Sequence, residues 1–272
     1  MTDPPVVNAN IEVNSAYTTL VRGLEDAAVF AALGYQVASL DRMDLPERSV
    51  PLRFAASQET EPALSRAWGS FAQRCSGFAV IAMMAAFEGY VEYLEFVRRL
   101  SVEFVENGSL NLEAINRIRS EVSEHSQARV REVVSNLTPG DWDSSRAGVS
   151  RAWFHGLYDL RNCLAHRSGV VTRQDVRPPK NELTIRWLRS TVSTSGDAVA
   201  ELPRTFKAAE QLEFRWTDEP RSWRLGQRVE LTASDSQDIA YTLARFGAAL
   251  AAEVINGIAS LLSASDVESD AG

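Results

Sequence analysis

Between Asn14 and Leu40 apolar residues recur at Tyr17, Leu20, Val21, Leu24, Ala28, Phe30, Leu33 and Val37, the spacing of an amphipathic helix. Pro46 and Pro51 then punctuate a loop, and Thr60 followed by Pro62 forms a helix start. The next pattern is long: Leu64, Trp68, Phe71, Phe78, Ile81, Met84, Phe87, Val91, Leu94 and Val97 predict a helix ending around Phe104 to Asn107, with Gly69 and Gly77 as candidate breaks. A further helix is predicted from Asn111 to Leu137 and another from Ser145 to Ser168, with Gly169 at a left-handed C-cap.

After Gly169 the period changes from helical to two. Leu183–Leu188, Leu212–Trp216 and Arg228–Thr232 each alternate as strands do. A closing helix starts near the capping pair Ser234–Asp235 and carries Ile239, Leu243, Phe246, Leu250, Val254, Ile258 and Leu261 on one face. These patterns predict a mainly α fold: a helical bundle of about five helices in a single domain, 14–264, with a strand-rich insert at about 170–233 before the last helix. Residues 1–13 and 265–272 read as loose termini.

The chain has 272 residues and a net charge of −8, which argues against a protein that coats nucleic acid with its whole surface. The charge is uneven: Arg146 to Arg189 holds a local net of +6. The start lacks a secretory signal, and the charge-free apolar runs between Asp26 and Asp41 and between Arg74 and Glu88 fall short of a membrane span. The two cysteines, Cys75 and Cys163, are too few for a disulfide framework and fit reduced thiols in a soluble, cytoplasmic protein. Phosphate-loop, dinucleotide and nucleophile-elbow motifs are missing, and His125, His155 and His166 do not form a metal-binding pattern, so neither metal nor cofactor is expected.

One segment stands apart, Leu157-Tyr158-Asp159-Leu160-Arg161-Asn162-Cys163-Leu164-Ala165-His166-Arg167-Ser168-Gly169. It resembles the R-N-x-x-x-H signature of the HEPN superfamily (higher eukaryotes and prokaryotes nucleotide-binding domains), with Arg161, Asn162 and His166 matching position for position. Ile81 to Tyr90 resembles the early core helix of such domains. The resemblance covers about Arg74 to Gly169 plus the last helix, and the strand-rich insert has no counterpart in it. It implies an all-helical module, a metal-independent endoribonuclease acting as a toxin or effector in bacterial defence or stress, and a homodimer whose two motifs form one cleft. An RNA substrate and an antitoxin or other defence-system partner follow from it.

The residue types suit that chemistry. Asn162 and His166 stand four apart and share a helix face, whereas Arg161 lies about 140° around the axis from His166. Attack of an RNA 2′-OH on its own phosphodiester needs proton transfer near neutral pH, which suits His166, and stabilised phosphorane charge, which suits Arg161; Asn162 orients either. Arg167, Arg173, Arg186 and Arg189 are candidate RNA contacts, and Trp187 and Trp216 candidate base-stacking residues. Two other readings stand beside this one. Arg161 and His166 can be ordinary surface residues of a non-catalytic RNA- or protein-binding module, or the insert can be the functional surface. Glu88 reads as a support for Arg161 or as one of a solvated row with Glu92 and Glu95.

Overall fold

The structure, a computed structural model, describes residues 12–39, 61–123, 127–138, 150–176, 181–194 and 212–269. The described residues form a mainly helical fold of six helices with a small sheet, in the order α1 (Val13–Ser39), α2 (Glu61–Asn107), α3 (Leu112–Ser123), α4 (Gln127–Leu137), α5 (Arg151–Arg167), β1 (Glu182–Thr194), β2 (Leu212–Arg224) and α6 (Ala233–Ser269). The helix expected from Asn111 to Leu137 is two helices, so there are six rather than five. Asn111 caps α3 by accepting from the Ala114 N–H at 2.7 Å. The helix containing Arg161 starts at Arg151, where the Ser150 hydroxyl accepts from the Ala152 N–H at 3.1 Å; residues 145–149 of the expected helix lie outside the described residues. The long helix α2 runs unbroken through Gly69 and Gly77. At the other end, α6 continues to Ser269, which replaces most of the loose terminus expected from 265.

The chain divides into two compact units. The first comprises the described residues of Met1–Gly23, Ala85–His155 and Leu243–Gly272. Its core holds a triad of rings, with Phe87 5.5 Å from Phe154 and 5.8 Å from Phe246, and Phe154 stacked 5.6 Å from Phe246. Gly247 permits close helix approach, because a Cβ there would stand 2.7 Å from Leu20 Cδ2; Tyr90 donates to the Gly247 carbonyl at 3.3 Å and Tyr17 to that of Ala244 at 3.2 Å. A satellite cluster of Leu100, Ile118 and Val122 seats α3 on α2. An ion network closes over it: Glu95 binds Arg98 at 2.8 Å and Arg99 at 2.7 Å, and Arg99 reaches Glu121 at 3.1 Å. Glu95 is therefore a buried, paired carboxylate and not one of a solvated row. Burial works to raise its pKa, but the two arginines outweigh it and hold the carboxyl below its usual range.

The second unit comprises the described residues of Leu24–Met84 and Gly156–Thr242. Helices α1 and α2 approach so closely at Gly34 that a Cβ would overlap Cys75. The buried face of α1 accordingly uses Ala27 and Ala31, and leaves Phe30 and Leu33 exposed although they fit the apolar period. The two strands pair antiparallel, Glu182 opposite Arg224 through Thr194 opposite Leu212. Leu183, Ile185 and Trp187 form the buried face of β1, which packs on α5 where Gly156 leaves 3.5 Å to Ile185 Cγ2. The Leu188 N–H donates to Thr242 Oγ1 at 3.0 Å, fixing β1 against α6. The second strand runs eight residues past the expected Trp216 and includes Pro220, which a two-stranded ribbon tolerates because each strand has an open edge.

The third expected strand, Arg228–Thr232, is a single bridge between Val170 and Arg228. Leu231 and Thr232 commit their backbone groups elsewhere. The Leu231 N–H donates to Gln73 Oε1 at 2.8 Å and the Leu231 carbonyl accepts from the Tyr35 hydroxyl. Thr232 and Asp235 form a reciprocal capping box, 3.1 Å from the Asp235 N–H to Thr232 Oγ1 and 2.8 Å from the Thr232 N–H to Asp235 Oδ2. The cap of α6 is thus Thr232, two residues before the expected Ser234.

By length and composition alone, Gly69–Asn107 and Ala233–Ser263 are long and apolar enough to cross a membrane, with mean hydropathies of 1.3 and 1.5. The charge-free runs between Asp26 and Asp41 and between Arg74 and Glu88 are shorter than these windows, which carry up to two charges. The most apolar windows are 44% and 28% buried within the fold.

Candidate functional site at the end of α5

The last two turns of α5 carry the R-N-x-x-x-H segment. Leu157, Leu160 and Cys163 face the core and fix the helix rotation. Asn162 is half-buried and His166 is exposed one turn later on the same face. The Arg161 guanidinium donates to Asn162 Oδ1 at 3.1 Å and lies 6.0 Å from the centre of the Tyr158 ring. Its Nε is buried with no hydrogen-bond partner among the described residues. Arg161 and Asn162 therefore form one unit, with His166 free of the core at the helix end. Glu88, half-buried on α2, also has one carboxylate oxygen, Oε1, buried without a partner among the described residues.

The helix stops at two successive residues with positive φ, Ser168 at 52° and Gly169 at 75°, as expected of the Gly169 cap. Gly169 donates back to the Cys163 carbonyl at 3.1 Å, and the chain then turns through Thr172–Asp175. The buried Asp175 carboxylate organises that turn. It accepts from the Thr172 N–H at 2.8 Å and the Thr172 hydroxyl at 2.9 Å, and pairs with Arg167. Arg167 also reaches Gln174 Oε1 at 3.3 Å. This guanidinium holds the turn.

The local excess of positive charge is similarly dispersed. Arg186 pairs diagonally across the ribbon with Asp218 at 2.8 Å, and Arg189 is half-buried with a partner of its own. Arg173 is exposed in the turn, while Arg146, Arg177 and Lys180 lie outside the described residues. Trp187 is 2% exposed, so it belongs to the core and cannot stack a base; the Trp216 side chain lies outside what is described. Burial pushes the Cys163 thiol up to about 11, with the Asp175 charge adding to it, so the cysteine is inert core. No three metal-ligating side chains cluster among the described residues.

Beside this segment runs a groove of about 820 Å³. Its α2 wall presents Arg74, Gly77 and Phe78, its α5 wall Ala165 and Ser168, and its far rim Arg228. Ala165 directly precedes His166 in the chain. Sequence reasoning missed the groove because α2 reads as a core helix throughout. The available signal was Arg74 and Phe78, a cation and an aromatic on one helix face beside Gly77. No known protein-family profile, curated protein or solved structure matches the chain.

Proposed function

We propose that this protein is a HEPN-like, metal-independent endoribonuclease that cleaves RNA by 2′-OH attack, working as a toxin or effector in a defence or stress system. The reading rests on the motif and is supported by its setting: Arg161 bonded to Asn162 at 3.1 Å, with the exposed His166 one turn on, at the open end of a helix. In the reaction a base takes the 2′-OH proton, the 2′-oxygen–phosphorus bond forms, the phosphorus–5′-oxygen bond breaks, and an acid protonates the leaving oxygen. His166 serves as proton carrier and the Arg161 fork stabilises charge on the phosphorane. One flat helix end does not enclose a phosphodiester. A C2 homodimer supplies the second wall and a second His166, so that one imidazole acts as base and the other as acid.

Purified protein incubated with RNA in EDTA is expected to cleave it. Arg161→Lys is expected to lose about a hundredfold, because a point charge does not replace the bidentate fork. Cleavage that requires a divalent ion, or an undiminished Arg161→Lys rate, overturns the reading. Light scattering at micromolar concentration is expected to give a dimer mass; a monomer argues against the two-subunit cleft. A second reading, a non-catalytic module that docks a protein or RNA partner such as an antitoxin, is favoured by the exposed Val29, Phe30, Leu33 and Phe78. It predicts no turnover under any of these conditions.

A further inference from the structure

We infer that the groove between α2 and α5 is a binding subsite for a nucleotide of single-stranded RNA, with the base stacked on Phe78 and the phosphate held between Arg74 and Arg228. The inference deepens the nuclease reading and rests on it for the identity of the polymer. A volume of about 820 Å³ lies in the range of about 300–1,000 Å³ typical of small-ligand sites. The floor is apolar and fixed: the Leu164 side chain sits in the notch between Gly77 and Gly169, 3.4 Å from where a Cβ on either would stand. Beside this floor Phe78 is 62% exposed, more than Phe71 or Phe104, the other exposed aromatics of α2. Phenylalanine offers a ring face and no hydrogen-bonding group, which suits stacking on any base.

The rim carries the complementary charge. Arg74 stands on α2 one turn before Phe78, and Arg228 stands on the segment that bridges to Val170 after α5. Both are exposed, and neither makes an ion pair among the described residues. Glu230 also lines the groove, leaving one net positive charge there. An aromatic ring and two guanidinium groups lining one groove match a base attached to a phosphodiester better than they match an apolar peptide. The α5 side of the groove is formed by Leu164 and Ala165, with Ser168 just beyond the helix end, so the groove borders the segment that carries His166, although that side chain does not line it.

The test uses the full chain carrying His166→Ala, which blocks turnover, and a short fluorescein-labelled oligouridylate read by fluorescence anisotropy. Adding Phe78→Ala is expected to weaken binding about tenfold, Phe78→Trp to keep it, and Phe71→Ala, on the same helix but outside the groove, to leave it unchanged. Because Phe78 is exposed, its replacement leaves the core intact, and circular dichroism checks this. Arg74→Ala combined with Arg228→Ala, which together hold one phosphate, is expected to lower the slope of log affinity against log salt by about 0.7. Absence of oligouridylate binding, or equal effects of Phe78→Ala and Phe71→Ala, overturns the subsite. Cleavage by the unsubstituted chain in EDTA is read in parallel. Cleavage without the Phe78 contrast removes the subsite and spares the nuclease; the contrast without cleavage keeps the subsite and removes the nuclease.

Discussion

Replacing His166 with alanine is expected to lower RNA cleavage by about 10²–10⁴-fold, the usual contribution of a positioned acid or base, while leaving stability within about 0.5 kcal/mol. The two halves of this result come from one fact, the exposure of the side chain at the last turn of α5. No core contact is lost, so thermal unfolding should superimpose on that of the unsubstituted chain. Asn162→Ala is expected to cost less activity, because it removes the 3.1 Å acceptor that aims Arg161 and leaves the proton carrier in place. A 2′-oxygen nucleophile leaves the phosphate on the upstream fragment, so products should end in 2′,3′-cyclic phosphate, and DNA of the same sequence should survive. Cleaved DNA, or an His166→Ala variant that cuts at the full rate, contradicts the mechanism.

Replacing Asp175 with alanine is expected to be far more damaging to the fold, by about 2–4 kcal/mol. Its side chain is 1% exposed and serves Arg167, the Thr172 N–H and the Thr172 hydroxyl at once. Its loss strands a guanidinium that is itself only 20% exposed, and breaking such a pair from one side costs about 3–5 kcal/mol when both partners are buried. The Thr172 N–H loses its acceptor as well. Urea unfolding should show a lower midpoint with an unchanged slope. Asp175→Asn should fall between, since one amide oxygen still accepts from Thr172. An alanine variant as stable as the parent would mean that the turn after α5 is held by something other than this carboxylate.

The helices were legible wherever burial follows the apolar period. Leu20 and Leu24 in α1 and Ile239 to Val254 in α6 are core as their spacing demands. Legibility failed where small residues, rather than large ones, set the packing. Gly34 and Ala31 press α1 onto its neighbours and turn Phe30 and Leu33 outward, a choice that hydrophobicity alone does not encode. It failed again at Arg228–Thr232, where the alternating pattern is real but side chains of Gln73, Tyr35 and Asp235 take the hydrogen bonds that a ladder needs. At the site, the helix, its Gly169 cap and the shared face of Asn162 and His166 were all readable from spacing. The fate of the arginines was not, because Arg167 with Asp175 and Arg186 with Asp218 are pairings across turns and strands that net charge cannot see.

The bridge between Val170 and Arg228 has a consequence for how this chain can change over time. Val171 donates to the Gln227 carbonyl at 2.9 Å, and the Gly226 N–H returns to the Val171 carbonyl at 2.8 Å. The chain thus departs from the helices and rejoins them at a single doorway, closed by backbone hydrogen bonds, one of them from Gly226 at a φ of 83° that favours glycine. Length added outside the packed face of β1 leaves this closure unchanged, and lengthening a closed loop adds only slowly to its entropic cost, about 0.6 kcal/mol per doubling. The pair Thr194–Leu212 is the end of the ribbon away from this doorway, so changes of length beyond that pair leave in place the bonds that close the chain just after His166.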